Sequence, residues 1–389
     1  MNKIDGKPPL KVLIVIGSLE IGGAEKHVAA LAVALKERNI EVAICALSSG
    51  GALETGLQKN RIRLFFPKAK FLLGVLLKVK FLRGLLFYSR SAYTFFEAYS
   101  SFRPRIVHFF LPGAYIQGGL TSLLIPGLYR IMSRRSLNVY QDKKPMLKKL
   151  EAFLHTKMNL ITGNSEKIIS ELSAEGVDSN KLGLIYNGVN VPVKEALQSS
   201  SPNSQVEILC VANIIPYKGH IDLLQALALI PKVFKWHLTC VGRDDNYKSE
   251  LDRTSSSLGI SDRVTFVGAV IDPSAYLRKA DIGVNSSHQE GFSNALLEYM
   301  AYGLGIVATD VGGNTEAVRH QLDGIIVPAK HPVEMSIAIR RLFDRRERWR
   351  LGENARKRAS ESFSCQSCWD SYAEIYESLV SENTESDLL

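Results

Sequence analysis

Short runs that are apolar at every position, rather than at every second one, recur along this chain with helical segments between them. Val12 to Gly17, Glu41 to Leu47 (apolar after its first residue), Arg105 to Phe110, Asn159 to Thr162 and Gly183 to Tyr186 read as strands in the first half. His27 to Lys36 reads as a helix with Val28, Leu31, Ala32 and Leu35 on one face. A strand without polar alternation is covered on both faces, which a parallel sheet flanked by helices provides. The rhythm restarts with Glu207 to Val211, His237 to Val241, Arg263 to Val267, Ile282 to Asn285, Gly305 to Ala308 and Ile325 to Val327. The fold class expected is therefore α/β, with two doubly wound units built to one plan.

A chain of 389 residues suits two domains at roughly 150 residues each. The Ser-rich VKEALQSSSPNSQ, between Val193 and Gln205, has the composition of a linker. The expected domains are 1–192 and 193–389, with the last helix returning to the first. No apolar run approaches the ~20 residues of a membrane span. The opening KVLIVIGS reads as a buried strand, not a signal peptide. Five cysteines, an odd number, do not make a disulfide framework, and Cys365 with Cys368 is a CxxC without a second pair. Cytoplasmic placement follows as an expectation.

The net charge of +9 is local. Between Arg61 and Arg105 there are ten basic residues and one acid, Glu97, so this stretch alone carries 10 − 1 = +9. A concentrated cationic patch calls for an anionic partner. From Phe71 to Tyr88 the stretch is rich in Phe and Leu, with Lys80, Arg83 and Arg90 near one helical face. That pattern suits an anionic membrane surface, peripheral on its inner face, better than nucleic acid, for which no recognition module is present.

Three segments carry chemistry. Gly22 and Gly23, in GGAE between a strand and a helix, let a ligand approach backbone N–H groups at a helix start, although no GxGxxG is present. VANIIPYKGH brings Lys218 to a helix start after a strand, a point charge suited to phosphate, without the spacing of a P-loop. HQEGFSNALLEYMAYG sets Glu290 and Glu298 eight residues apart. Gly291, Phe292, Ser293 and Asn294 between them offer successive amides, a cradle for a diphosphate. Capping and solvation of these side chains is the competing reading.

Taken in order, GGAE, YKGH, E-GFSNALL-E and ATDVGGNTEAV, with NSEKIISEL and IYNGVN between, resemble the retaining, two-domain GT-B glycosyltransferases of family 4, over about Val12 to Tyr376. The resemblance implies two Rossmann-like domains with a cleft between them, the first binding acceptor and the second a nucleotide sugar. It implies that Lys218 contacts the donor diphosphate and Glu290 the sugar hydroxyls. Gly291 to Asn294 would face sugar and diphosphate, Glu298 the ribose, Val267 and Gly268 the base, and Gly22 and Gly23 the diphosphate and acceptor. Two departures stand out. Asn213 occupies a position where many members have an arginine, which leaves Lys218 the larger share of the leaving group's charge. IMSRRSLNVY stands where many have a histidine, making Arg134 and Arg135 further candidates, along with His108 on the preceding strand, which also reads as a core residue.

The chemistry expected is sugar transfer from a nucleotide-diphosphate sugar, UDP-linked, to a surface polysaccharide or lipid-linked saccharide. Retention by front-face attack follows from the resemblance. No Asp-x-Asp occurs, so metal independence and no cofactor are expected. The rivals are a GT-B nucleotide-sugar epimerase and a silent sugar-nucleotide-binding subunit. The reading requires Lys218 and the Phe292–Asn294 turn to share one site.

Overall fold

The computed structural model describes residues 9–67, 80–138, 144–193 and 205–386, and among these the side chains of 80–87 and 382–386 are left aside. The linker between Val193 and Gln205 and most of the basic segment Phe71 to Tyr88 therefore lie outside the described residues or side chains. The chain divides into two compact units. The first comprises Met1–Asn164, Ile168–Ile185 and Trp369–Leu389; the second, Ser165–Lys167 and Tyr186–Cys368.

The first unit contains Lys11–Ile16 (β1), Glu41–Ala46 (β2), Arg63–Phe65 (β3), Ile106–Phe110 (β4), Tyr129–Arg134 (β5), Leu160–Gly163 (β6) and Leu182–Leu184 (β7). They form one parallel sheet in the order β3-β2-β1-β4-β5-β6-β7. Between β1 and β2 the helix Gly23–Glu37 buries His27, Val28, Leu31, Ala32, Ala34 and Leu35. Their three- and four-residue spacing is what packs a helix on a sheet. Leu13 and Val15 of β1, Val107 and Phe109 of β4 and Met132 of β5 share one core with helix residues such as Phe95 and Leu154.

The second unit contains Val206–Val211 (β8), Trp236–Val241 (β9), Val264–Gly268 (β10), Ile282–Asn285 (β11), Gly305–Thr309 (β12) and Ile325–Val327 (β13). Its parallel sheet runs β10-β9-β8-β11-β12-β13. Alternate residues of β8 enter different cores: Val206, Ile208 and Cys210 one, Leu209 another. Side chains alternate across a strand, so both sheet faces are covered. In each sheet the order reverses beside the first strand, between β1 and β4 and between β8 and β11. The crevice outside the carboxyl ends of such a pair is where open α/β sheets take ligands.

β3 and β5 were absent from the sequence expectations. β3 is three residues long. β5 is polar, YRIMSR, and its two arginines bond mostly inside the unit, with Arg134 Nε left without a hydrogen-bond partner among the described residues. The Arg130 guanidinium donates to the carbonyls of Ser122, Ile125 and Leu128. Arg134, 3 % exposed, donates to both oxygens of Glu175 at 2.8 and 2.9 Å. Polarity on a central strand masked it from a pattern read on apolar runs.

Candidate active site

In the second unit the loop after β8 turns through Pro216–Lys218 and reaches Gly219, at φ +67, which starts the helix His220–Ala228. A Cβ at Gly219 would lie 1.9 Å from the Ser286 carbonyl oxygen. Only glycine allows the Lys218 loop to sit this close to the loop after β11. The result is direct: Lys218 Nζ donates to Glu290 Oε1 at 2.7 Å, both side chains largely buried. Burial opposes the Lys218 charge, but the Glu290 carboxylate more than offsets it and holds the ammonium above its ordinary value. Lys218 is a fixed cation.

Glu290 Oε1 also accepts from Ser287 Oγ at 2.7 Å and Asn285 Nδ2 at 3.2 Å. Its Oε2 has no protein partner among the described residues. One oxygen is thus spent on orientation and the other remains to accept from a hydroxyl. Beneath it, Asn285 Nδ2 donates to Ser293 Oγ at 2.9 Å, Thr309 Oγ1 to the Ser287 carbonyl at 2.6 Å and Asn314 Nδ2 to the Thr309 carbonyl at 3.0 Å.

Ser293 caps the helix Asn294–Ala301 through its side chain, which accepts from Leu296 N. That helix is pinned at its far end. The Tyr299 oxygen accepts from Val211 N at 2.7 Å, and its ring lies over Gly283, where a Cβ would come within 2.3 Å. Asn187 Nδ2 donates to the Phe292 carbonyl at 3.2 Å and to Asn294 Oδ1 at 2.6 Å. The Phe292 ring packs between Tyr186 and Phe363, so this residue offers only its backbone to a ligand. Gly312, at φ +52, and Gly313 back the turn: a Cβ on either would strike the Glu290 or Gly291 carbonyl. Gly313 N donates to the Gly291 carbonyl at 3.0 Å.

Lys218 and the Phe292–Asn294 turn therefore meet through Glu290, at the carboxyl ends of β8 and β11. Glu298 lies half-buried one turn along the same helix from Asn294. Val267 and Gly268 end β10; Gly268, at φ +88, accepts from Gly242 N at 3.0 Å. Asn213 Oδ1 accepts from Arg243 N at 3.2 Å, which commits its carbonyl oxygen to joining the loops after β8 and β9.

The remaining candidates lie in the first unit. Gly22 precedes the helix Gly23–Glu37 in extended conformation, and the Glu25 carboxylate folds back against it, 2.2 Å from where a Cβ would stand. His108 is fully buried: Nδ1 contacts Tyr376 Oη at 2.7 Å and Nε2 contacts Ser133 Oγ at 2.8 Å. Burial, then the nearby Arg135 charge, lowers its pKa to about 3, so it is a neutral core residue. Arg134 is committed to Glu175 and Glu151 in the interior. Arg135 is half-buried, and its charge depresses both His27 and His108. The two arginines are thus on different duties.

The sequence reading missed Asn187, Asn285, Ser287, Asp222, His288, Gly312 and Gly313. Asn187 lies in IYNGVN and the glycine pair in ATDVGGNTEAV, both noted as motifs without a role.

Two family models match the chain in succession: "Glycosyltransferase Family 4" over residues 21–192 and "Glycosyl transferases group 1" over 205–345. Among curated relatives, CapM of Staphylococcus aureus, a capsular polysaccharide biosynthesis glycosyltransferase, is 24 % identical over 303 residues, 72 % of this chain and 78 % of its own length. LpsE of Rhizobium meliloti, a lipopolysaccharide core biosynthesis glycosyltransferase, is 27 % identical over 176 residues, 45 % of this chain; the chain spans about half, 51 %, of its length. HepE of Anabaena, solved in complex with UDP-glucose, superposes with a TM-score of 0.79 at 20 % identity, covering 95 % of this chain and all of that one. At that identity the likeness establishes the fold, two Rossmann-like units of GT-B type. The chain belongs to the group 1, family 4 glycosyltransferases, a family of transferase enzymes.

Proposed function

We propose that this protein moves a sugar, with retention of anomeric configuration, from a UDP-linked donor to a surface-polysaccharide or lipid-linked saccharide acceptor. The observation that carries the reading is the Lys218–Glu290 pair, 2.7 Å apart beside the Gly291–Asn294 amides at the switch point of the second sheet. The names of CapM and LpsE support a surface-polysaccharide acceptor. The ligand in the HepE structure supports a UDP-sugar donor.

As the bond from C1 to the diphosphate breaks, negative charge gathers on the leaving phosphate. Lys218 and the amides of Ser293 and Asn294 face that charge, a preorganised electrostatic stabilisation that asks for no metal or other cofactor. Glu290 Oε2 accepts from a sugar hydroxyl, Glu298 serves the ribose, and Val267 and Gly268 serve the base. Asn213 contributes only its amide N–H groups. The acceptor hydroxyl attacks C1 on the face the diphosphate leaves, and the departing phosphate oxygen takes its proton. The acceptor is assigned to the first unit, where Arg135, Gly22 and Gly23 stand at or just beyond the carboxyl ends of β5 and β1. The setting proposed is the cytoplasmic face of an anionic membrane. Among the described residues no helix is long and apolar enough to cross one.

The test is thermal stabilisation of the full chain by a panel of nucleotide sugars, followed by transfer assays. A ligand at 100 times its Kd adds about 2.7 kcal/mol. A UDP-sugar should raise the Tm, and Glu290→Ala should abolish transfer. If no nucleotide sugar stabilises the chain, the reading is wrong. Donor turnover without acceptor marks an epimerase, and a partner transferase whose activity is little changed by Glu290→Ala in this chain marks a silent binding subunit.

A further inference from the structure

The loop bearing Lys218 is clasped to the loop after β11 at several points. His288 N donates to the Tyr217 carbonyl at 2.7 Å, and Ser286 Oγ donates to the Lys218 carbonyl at 2.9 Å. Gly219 leaves room for the Ser286 carbonyl, and a Cβ there would also stand 3.2 Å from His288 Nε2. The remaining tie joins two side chains: His288 Nε2 to Asp222 Oδ2 at 2.6 Å, the side chains 23 % and 15 % exposed. Asp222 is in the first turn of the helix His220–Ala228, four residues past Lys218; His288 is two residues before Glu290.

We propose that His288 and Asp222 form a positioning pair that holds Lys218 in register with the sugar-binding loop when the Lys218–Glu290 pair opens. This rests on the function proposed above. The ammonium and the Glu290 carboxylate neutralise each other. A bound donor gives each another partner, phosphate for Lys218 and sugar hydroxyl for Glu290, so their mutual bond weakens at the moment alignment matters. The bonds from Ser286 Oγ and His288 N persist, but they tie one loop to another. The His288–Asp222 bond instead anchors the sugar loop to the first turn of a helix, whose buried Leu223, Leu224 and Leu227 fix it in the core. A misplacement of 1 Å near reacting groups can cost about 10²-fold in rate. The loss belongs to the transition state, where the phosphate charge is largest, so kcat should fall while donor KM moves little.

The experiment compares His288→Ala, Asp222→Ala, the double variant and His288→Gln in the full chain, measuring kcat, donor KM and Tm. Each single alanine should lower kcat about 10- to 100-fold with donor KM changed less than about threefold. The double variant should be no worse than the worse single, because the residues act as one unit. His288→Gln, whose Nε2–H₂ reaches Asp222 from the same place, should restore kcat to within about threefold of wild type. Additive losses, a glutamine variant as poor as the alanine, or a fall in Tm with kcat unchanged would each overturn the pair's role. A wild type that neither binds nor turns over any nucleotide sugar overturns the function and this role together. A wild type that turns over beside an equally active His288→Ala overturns the pair alone.

Discussion

Gly219 shows how one residue sets the distance between a cation and its target. It combines left-handed φ of +67 with a backbone approach that leaves no space for a methyl group. A non-glycine residue in that conformation costs about 1–2 kcal/mol before the clash with Ser286 is counted. Gly219→Ala should lower stability by at least about 2 kcal/mol in urea unfolding and reduce donor affinity, because relief of the clash moves Lys218 away from Glu290. An unchanged donor Kd would mean that the loop can relax without moving the ammonium. Lys218 and Glu290 were legible from the sequence because each sits in a motif of its own, YKGH and E-GFSNALL-E. Asp222 and His288 were not: they are 66 residues apart, and only the reversal of strand order beside β8 brings them together. A lone aspartate on a helix and a lone histidine in a loop carry no mark of each other.

At the scale of elements, the strands read best where burial is apolar and worst where it is polar. β5 was missed because Arg130, Ser133 and Arg134 look like solvent-facing residues. Ser133 instead bridges to Thr162 on β6 at 2.5 Å and to His108 on β4 at 2.8 Å. His108 in turn contacts Tyr376, and His27 contacts Tyr372 at 3.3 Å. A row of neutral imidazoles thus joins the first sheet and its helix to the last helix of the chain within the first unit. This predicts a pH dependence. Both histidines have folded pKa values far below their ordinary 6.5, His108 at about 3, with burial the leading cause. The unfolded chain therefore binds more protons between those values. The stability is fully present above pH 6.5 and is lost as pH falls toward 3. Replacement of His108 by Asn should lower stability at pH 7 by about 1–3 kcal/mol, through imperfectly satisfied hydrogen bonds. The same variant should flatten the loss between pH 7 and pH 5. Urea midpoints at the two pH values decide it: parallel slopes for variant and wild type would show that His108 is not what titrates.

For the whole molecule, the two sheets share one winding order but differ in charge. The excess of +9 sits between Arg61 and Arg105, in the first unit, whereas the candidate site in the second pairs its cation, Lys218, with the Glu290 carboxylate. A stretch of sequence so rich in one sign, with a single acid, carries charges that repel one another. An anionic surface would offset that repulsion and would concentrate the enzyme where the proposed lipid-linked acceptor would reside. Each basic residue near such a surface contributes about 1 kcal/mol. Neutralising Lys78, Lys80, Arg83 and Arg90 together should therefore weaken binding by about 4 kcal/mol, close to 10³-fold in partitioning. Co-sedimentation with vesicles containing anionic phospholipid should fall to the level seen with zwitterionic vesicles. Raising ionic strength should release the wild type as well, because a surface charge pair is screened within a Debye length of about 10 Å at 0.1 M. Transfer to a soluble acceptor should be unaffected, since none of these four residues is among those assigned to the donor or the acceptor. Equal sedimentation of variant and wild type at low salt would locate the anionic partner of this stretch elsewhere than the membrane.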